Sequence, residues 1–175
     1  MLRRSLASAL LLFTGVSPAV AIMPFPEVMP SQGVANSAFR EMLASGTADD
    51  ITMTLAKMML ANTEGNGGMW KGRSLALMKG VIESLVWMRD SEGIVIDEDL
   101  IRRFMSLDSL HSLTSEKDYP TLPREIRMSV RAHFSQLPGY DKTKGAAQHP
   151  ITLEHHDYMV SRFTETLDGL RVRSA

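Results

Sequence analysis

An eight-residue stretch, GGMWKGRS from Gly67 to Ser74, differs by one residue from the phosphate-binding pattern G-x-x-x-x-G-K-[ST]. In that pattern a buried strand leads into the loop, and a lysine reaches the β- and γ-phosphates of a nucleotide. Here Arg73 stands in the lysine position, where a planar guanidinium does not replace a compact ammonium, and a Met-rich helical pattern precedes the glycines. We therefore interpret the stretch as the glycine-rich start of a helix that Trp70 anchors, and not as a nucleotide site.

Histidines near the C-terminal end are the next residues that could do chemistry. His149, His155 and His156 lie close together in the sequence, with Glu154 and Asp157 beside them. Adjacent residues on a helix point about 100° apart, and the H-E-x-x-H spacing of zinc enzymes is absent. The pattern favours solvated residues at the start of a helix over a metal site.

Other arrangements that carry catalysis are also missing from the sequence. The chain has no cysteine, which excludes disulfides, zinc–thiolate sites and thiol nucleophiles. It has no G-x-S-x-G nucleophile pattern. We therefore predict no catalytic residues, no metal, no cofactor and no small-molecule substrate.

A stripe of arginines on one predicted helix is the surface feature of the sequence that most clearly suggests binding. Arg124, Arg127 and Arg131 are spaced i, i+3 and i+7, which places them on one face of a helix. With Lys71 and Arg73 they are our candidate contacts for the phosphates of nucleic acid or for an acidic partner. The alternative is a solvated helix face.

The composition predicts one ordinary soluble domain. The chain has 175 residues, is 44% hydrophobic and 22% charged, and carries a formal net charge of −1. A balance this near neutral excludes a strongly basic nucleic-acid binder as a description of the whole chain, and leaves a local basic face open.

The first 38 residues differ in kind from the rest. Two arginines in MLRR, the short apolar run SLASALLLFTGVS and the small residues AVA at positions 19–21 predict a signal peptide over residues 1–21. A buried helix, or a start codon inside unrelated coding sequence, is the alternative. Pro24, Pro26 and Pro30 predict a linker over residues 22–38. Residues 39–175 then form a helical domain.

Hydrophobic spacing through residues 39–175 predicts an all-α fold, an irregular bundle of five to six helices. Residues 39–62 are expected to be helical, with Thr47 as a cap. The helix over residues 69–89 is apolar on most of its faces, and so we place it at the centre of the bundle. Asp97 and Thr152 are predicted caps of later helices, and no internal repeat is found.

Several stretches resemble the coupling proteins of type IV secretion and conjugation systems. They are ASGTADDITMTLAKMMLANTEG, MWKGRSLALMKGVIESLVWMRDSEGIVIDEDLIRRFMSLDSLHSL and LPREIRMSVRAHFSQLPGYDKTKG, the last continued by QHPITLEHHDYM. The resemblance covers roughly residues 42–168. It is strongest to the branch that serves type IVB (Dot/Icm-like) systems and IncI-type plasmids.

The resemblance implies a role in substrate transfer. Members of the family are membrane-bound hexameric motor ATPases that bring relaxase-bound DNA or protein substrates to a secretion channel. This sequence resembles the helical domain inserted in the motor core. The motor's own phosphate loop does not appear in it, residues 1–38 look like a signal and linker, and GLRVRSA stands where the family would return to the motor core.

We therefore expect a non-catalytic helical piece or stand-alone relative of the coupling ATPase, which docks substrate, DNA or partner proteins and does not hydrolyse ATP. Its implied partners are secretion-system proteins and relaxase or effector substrates, with DNA as a further candidate. The alternatives are a truncated gene remnant without activity and an exported periplasmic helical accessory protein. The signal predicts export to the periplasm, whereas the resemblance implies the cytoplasmic face of the inner membrane.

Overall fold

The structure, a computed structural model, describes residues 32–61, 68–145 and 147–172. The predicted signal peptide over residues 1–21 lies outside the described residues, as do residues 22–31 of the predicted linker. The described ranges contain seven α-helices, one 3₁₀ turn and no strand. The all-α prediction is confirmed.

The helices are α1 (Gln32–Ser45), α2 (Ala48–Ala61), α3 (Gly68–Glu92), α4 (Glu98–Phe104), α5 (Leu107–Thr114), α6 (Arg124–Phe134) and α7 (Pro150–Val172), and the 3₁₀ turn spans Lys142–Lys144. Helix α1 begins at Gln32, so residues 32–38, which we had predicted to be linker, are helical.

Seven helices in the described ranges exceed the predicted five to six because the expected helix over residues 39–62 is broken. The Gly46 N–H donates to the Met42 carbonyl (2.7 Å) and closes α1. Thr47 then caps α2: its Oγ1 accepts from the Asp50 N–H (3.1 Å), and the Asp50 carboxylate accepts from the Thr47 N–H (3.2 Å). This reciprocal pair satisfies two backbone donors that a new helix would leave free.

Helix α3 is at the centre of the described bundle, where it packs against α2, α4, α6 and α7. Its side chains are buried on more than one face, among them Leu77, Met78, Val81, Ile82 and Leu85. A helix surrounded by four others has little solvated surface, so it is apolar around most of its circumference. Gly93, with a positive φ of 73°, ends it and donates its N–H to the Arg89 carbonyl (3.0 Å).

Helix α6 runs antiparallel to α3 and approaches it closely at Gly80. The Thr121 hydroxyl, just before α6, donates to the Glu92 carboxylate at the end of α3 (3.1 Å). A Cβ at Gly80 would lie 3.3 Å from backbone atoms of Ser129 and Val130. The missing side chain therefore sets the spacing of the two helices.

Helix α7 begins earlier than predicted. Pro150 is its first residue, a position that tolerates the missing N–H. Thr152, our predicted cap, lies inside the helix and is fully buried, and its hydroxyl donates to the Pro138 carbonyl (2.6 Å). The prediction that Thr152 caps α7 is wrong, because the side chain ties α7 to the preceding loop instead.

Candidate docking surface

The three arginines of the predicted stripe on α6 have different environments. Arg124 is exposed, whereas the Arg127 side chain is buried, with only 5% of the residue accessible. Arg127 donates to the Tyr119 carbonyl and lies 3.6 Å from the Glu116 carboxylate. Arg131 is exposed, and its Nη2 donates to the carbonyl of Thr114, the last residue of α5 (2.8 Å).

Arg127 and Arg131 therefore hold the segment that joins α5 to α6. A cationic donor such as Arg131 suits the end of α5, because the last carbonyls of a helix have no partner within it and carry partial negative charge. The buried guanidinium of Arg127 is occupied by contacts within the fold, so Arg127 is not available as the surface contact that we predicted. Arg124 and Arg131, which are both exposed, remain as candidate contacts on this face.

Lys71 and Arg73 lie in the first turns of α3, at the end where Trp70 of α3 meets two aromatic side chains of α7. The Arg73 guanidinium lies 5.3 Å from the centre of the Trp70 ring. The Trp70 ring meets His155 and Tyr158 edge-on, with centroids 5.0 and 5.2 Å away. We call Trp70, His155 and Tyr158 the aromatic cluster.

A second arginine flanks this cluster from α7. Arg162 lies 5.4 Å from the centre of the Tyr158 ring and donates to its hydroxyl (3.1 Å). Both arginines near the cluster therefore lie over aromatic faces, where the ring quadrupole attracts a cation. Arg124 is not brought near Arg73, because it follows Thr121, which bonds to Glu92, and Glu92 lies about 28 Å from Arg73 along α3. The other end of α6 is nearer to Arg73, since Ser129 and Val130 pack on Gly80.

The Gly67–Ser74 stretch is helical over its described part. Helix α3 begins at Gly68, so Gly72 and Arg73 lie in its second turn. Ser74, which would hold the metal in a phosphate loop, is buried, and its hydroxyl has no hydrogen-bond partner among the described residues. The local structure thus agrees with our interpretation of a helix start anchored by Trp70.

A buried pair of histidines is the polar feature that the sequence reading missed. His133 on α6 and His156 on α7 are 3% and 4% exposed, and His133 Nε2 lies 3.0 Å from His156 Nδ1. We had predicted that His156 is a solvated residue at a helix start, and this is wrong. His156 lies in register with the buried Thr152, Met159 and Phe163, so the period of α7 was the signal that could have found it.

Both rings of the histidine pair are held in the neutral form. Burial, together with the neighbouring His156, lowers the pKa of His133 from 6.5 to about 3. Burial also lowers the pKa of His156, against opposing effects of Asp157 and of a hydrogen bond to the backbone of Met105. Nδ1 of His133 is buried with no hydrogen-bond partner in the described ranges, so a proton placed there would lack an acceptor.

Within the described ranges, no group of three or more His, Asp or Glu side chains is placed to hold a metal ion. In the same part of the chain, no helix combines the length and the apolar character needed to cross a bilayer.

Comparisons with known proteins give one distant similarity. The chain is 28% identical over 136 residues to the type 4 coupling protein DotL of Legionella pneumophila. The alignment covers 71% of this chain and 17% of the relative, so the chain spans about a sixth of the length of the protein it matches. No protein-family model matches the sequence, and no solved structure matches it. The chain is distantly related to a type 4 coupling protein.

Proposed function

We propose that the chain is a non-catalytic docking module of a type IV secretion or conjugal transfer system, of the type IVB (Dot/Icm-like) and IncI branch. The observation that carries the proposal is the similarity to a type 4 coupling protein over 71% of the chain. An all-helical bundle is also the fold that the resemblance to the helical insertion of the coupling ATPase implies.

The proposed partners are secretion-system proteins and their relaxase or effector substrates, with DNA as a further partner. Four cationic side chains remain as contacts: Lys71, Arg73, Arg124 and Arg131. None of them forms an ion pair with a carboxylate among the described residues. Unpaired cations at the surface bind phosphates with an affinity that falls as salt rises, because binding releases condensed counterions.

The DNA part of the proposal is tested by gel retardation of labelled single-stranded and duplex oligonucleotides at two salt concentrations. We expect salt-sensitive binding that weakens at least about tenfold when Lys71, Arg73, Arg124 and Arg131 are all changed to Ala. Arg127 is left intact because its removal from the interior would disturb the fold and confuse the result.

A matched control changes to Ala four exposed cations elsewhere in the chain, namely Lys57, Arg103, Lys117 and Lys142. Equal loss in the control would remove the four residues from the proposal. The protein part is tested by co-purification of the tagged chain with the secretion apparatus of its own host. A chain that neither retards DNA nor retains any component of the apparatus would refute the docking function.

A further inference from the structure

Helix α7 carries, beside the aromatic cluster, a shallow and open surface, which we call the groove. The described residues that line it all belong to α7: Pro150, Leu153, Glu154, Asp157, Tyr158 and Ser161. Their spacing of three and four places them on one stripe of the helix, about 17 Å long at 1.5 Å per residue. This stripe differs from the buried face of α7, which carries Thr152, His156, Met159 and Phe163.

The groove combines an apolar floor with negative charge. Leu153, Pro150 and the ring of Tyr158, which is 39% exposed, supply the apolar surface. Glu154 and Asp157 are exposed, and neither carboxylate forms an ion pair or a side-chain hydrogen bond with a described residue. Arg73 and Arg162 form no ion pair with either carboxylate, and their guanidinium groups lie over Trp70 and Tyr158.

We propose that this groove docks an amphipathic helix of a partner protein, with apolar side chains facing Leu153 and Tyr158 and Lys or Arg side chains facing Glu154 and Asp157. The charge selects the class of occupant: two free carboxylates attract a basic segment and repel the phosphates of nucleic acid or of anionic lipid. The spacing selects its form, since a stripe at i, i+3, i+4, i+7 and i+8 is the surface that one helix presents to another.

The aromatic cluster makes this groove suited to binding. Tyr158 is held between Trp70, which meets its ring edge-on, and Arg162, which bonds to its hydroxyl, so little side-chain freedom is lost when a partner covers it. A tyrosine fixed in this way is typical of the residues that dominate the energy of protein interfaces.

The first test uses a fluorescein-labelled peptide of about four helical turns, with Leu along one stripe and Arg on both sides of it. We expect the full chain to bind this peptide, and the Glu154→Gln/Asp157→Asn variant to bind it about tenfold more weakly. A matched variant, Asp118→Asn/Glu125→Gln, removes two exposed carboxylates elsewhere and gives the same net charge. It should bind as the unchanged chain does.

The second test locates the occupant. Because the chain has no cysteine, the Ser161→Cys variant carries a single site for an environment-sensitive dye at the C-terminal end of the groove. The Ser135→Cys variant carries one at the end of α6. Peptide binding should shift the emission of the dye in the first variant and leave it unchanged in the second.

The proposal is overturned if the peptide does not bind, if the two double variants weaken it equally, or if a peptide with Glu in every Arg position binds as well. It is also overturned if an oligonucleotide displaces the peptide from the variant in which Lys71, Arg73, Arg124 and Arg131 are all changed to Ala. The groove proposal specifies one kind of partner for the docking function proposed above, and in this respect it rests on that function. The peptide assay measures binding at the groove alone, whereas DNA retardation and co-purification measure the docking function. The groove proposal and the docking function can therefore fail independently of each other.

Discussion

The buried histidine pair makes the stability of this fold sensitive to mild acid. His133 and His156 join α6 to α7 in the interior, and both rings are neutral there. When the chain unfolds, each ring regains an ordinary histidine pKa of about 6.5 and binds a proton below that pH. Because the unfolded state then holds more protons than the folded state, the free energy of unfolding falls as pH falls.

The size of the effect follows from the pKa of His133. Its pKa is about 3 in the folded protein, so its contribution is complete above about pH 6.5 and is lost progressively down to about pH 3. Each pH unit in that window removes about 1.4 kcal/mol. Between pH 7 and about pH 5, where most carboxylates are still ionised, His133 alone should cost about 2 kcal/mol. That is a large share of the roughly 5–15 kcal/mol that stabilises a typical domain.

The assay is urea unfolding followed by far-ultraviolet circular dichroism at pH 7 and at about pH 5. The His133→Gln variant keeps an amide that can donate to His156 Nδ1 but cannot titrate, so it should lose about 2 kcal/mol less than the unchanged chain over this range. His149 is exposed and serves as the control, and the His149→Asn variant should follow the unchanged chain. A difference below about 0.5 kcal/mol between His133→Gln and the unchanged chain would refute our account of the pair.

Three further predictions concern the helices and the N-terminal segment. Gly72→Ala should raise the free energy of unfolding by about 0.5–1 kcal/mol, because Gly72 is a helical residue and an added Cβ would meet no atom of another part of the chain within 4 Å. Gly80→Ala should give no gain, since its Cβ would press on the backbone of α6. Arg127→Met should cost about 1–3 kcal/mol in the same urea assay by leaving the Tyr119 carbonyl without its buried donor, while Arg124→Met should change little. Residues 1–30 fused to a reporter that is active only after export should yield an active, cleaved product.

Each of these predictions has an outcome that contradicts it. Equal gains from Gly72→Ala and Gly80→Ala would mean that α3 and α6 separate freely. An Arg127→Met variant as stable as Arg124→Met would mean that the contact to the Tyr119 carbonyl contributes nothing. An inactive and uncleaved reporter would remove the predicted signal over residues 1–21 and, with it, the exported accessory protein as an alternative.

Local signals account for the parts of the fold that the sequence predicted well. The apolar period of α3 and the Asp97 cap of α4 depend on residues within a turn or two of each other, and both are found. The break at Gly46–Thr47 was also local. The reciprocal bonds between Thr47 and Asp50 compete successfully with a continuous helix, although the apolar spacing runs through them.

The environment of polar side chains could not be predicted in the same way. Arg127 lies on a stripe of arginines that reads as a solvated face, yet the segment after α5 covers it and supplies its partners. His133 and His156 are 23 residues apart, and only the packing of α6 on α7 makes them neighbours. The spacing of hydrophobic residues predicts which face of a helix is buried. Which polar side chain has a hydrogen-bond partner depends instead on contacts between parts of the chain that are distant in sequence.

The histidine pair and the proposed groove are neighbours on α7, and their charges should couple them. Asp157 lines the groove and also favours the protonated form of His156, which raises the pKa of that ring. A cation docked on Asp157 would offset this attraction, so docking should oppose protonation of His156. By reciprocity, protonation of His156 should then weaken docking by the same factor. The Arg and Leu peptide should therefore bind more weakly once the pH is low enough to protonate His156 in the folded chain, and Asp157→Asn should remove most of that dependence. A pH dependence that survives Asp157→Asn in full would place its origin elsewhere in the chain.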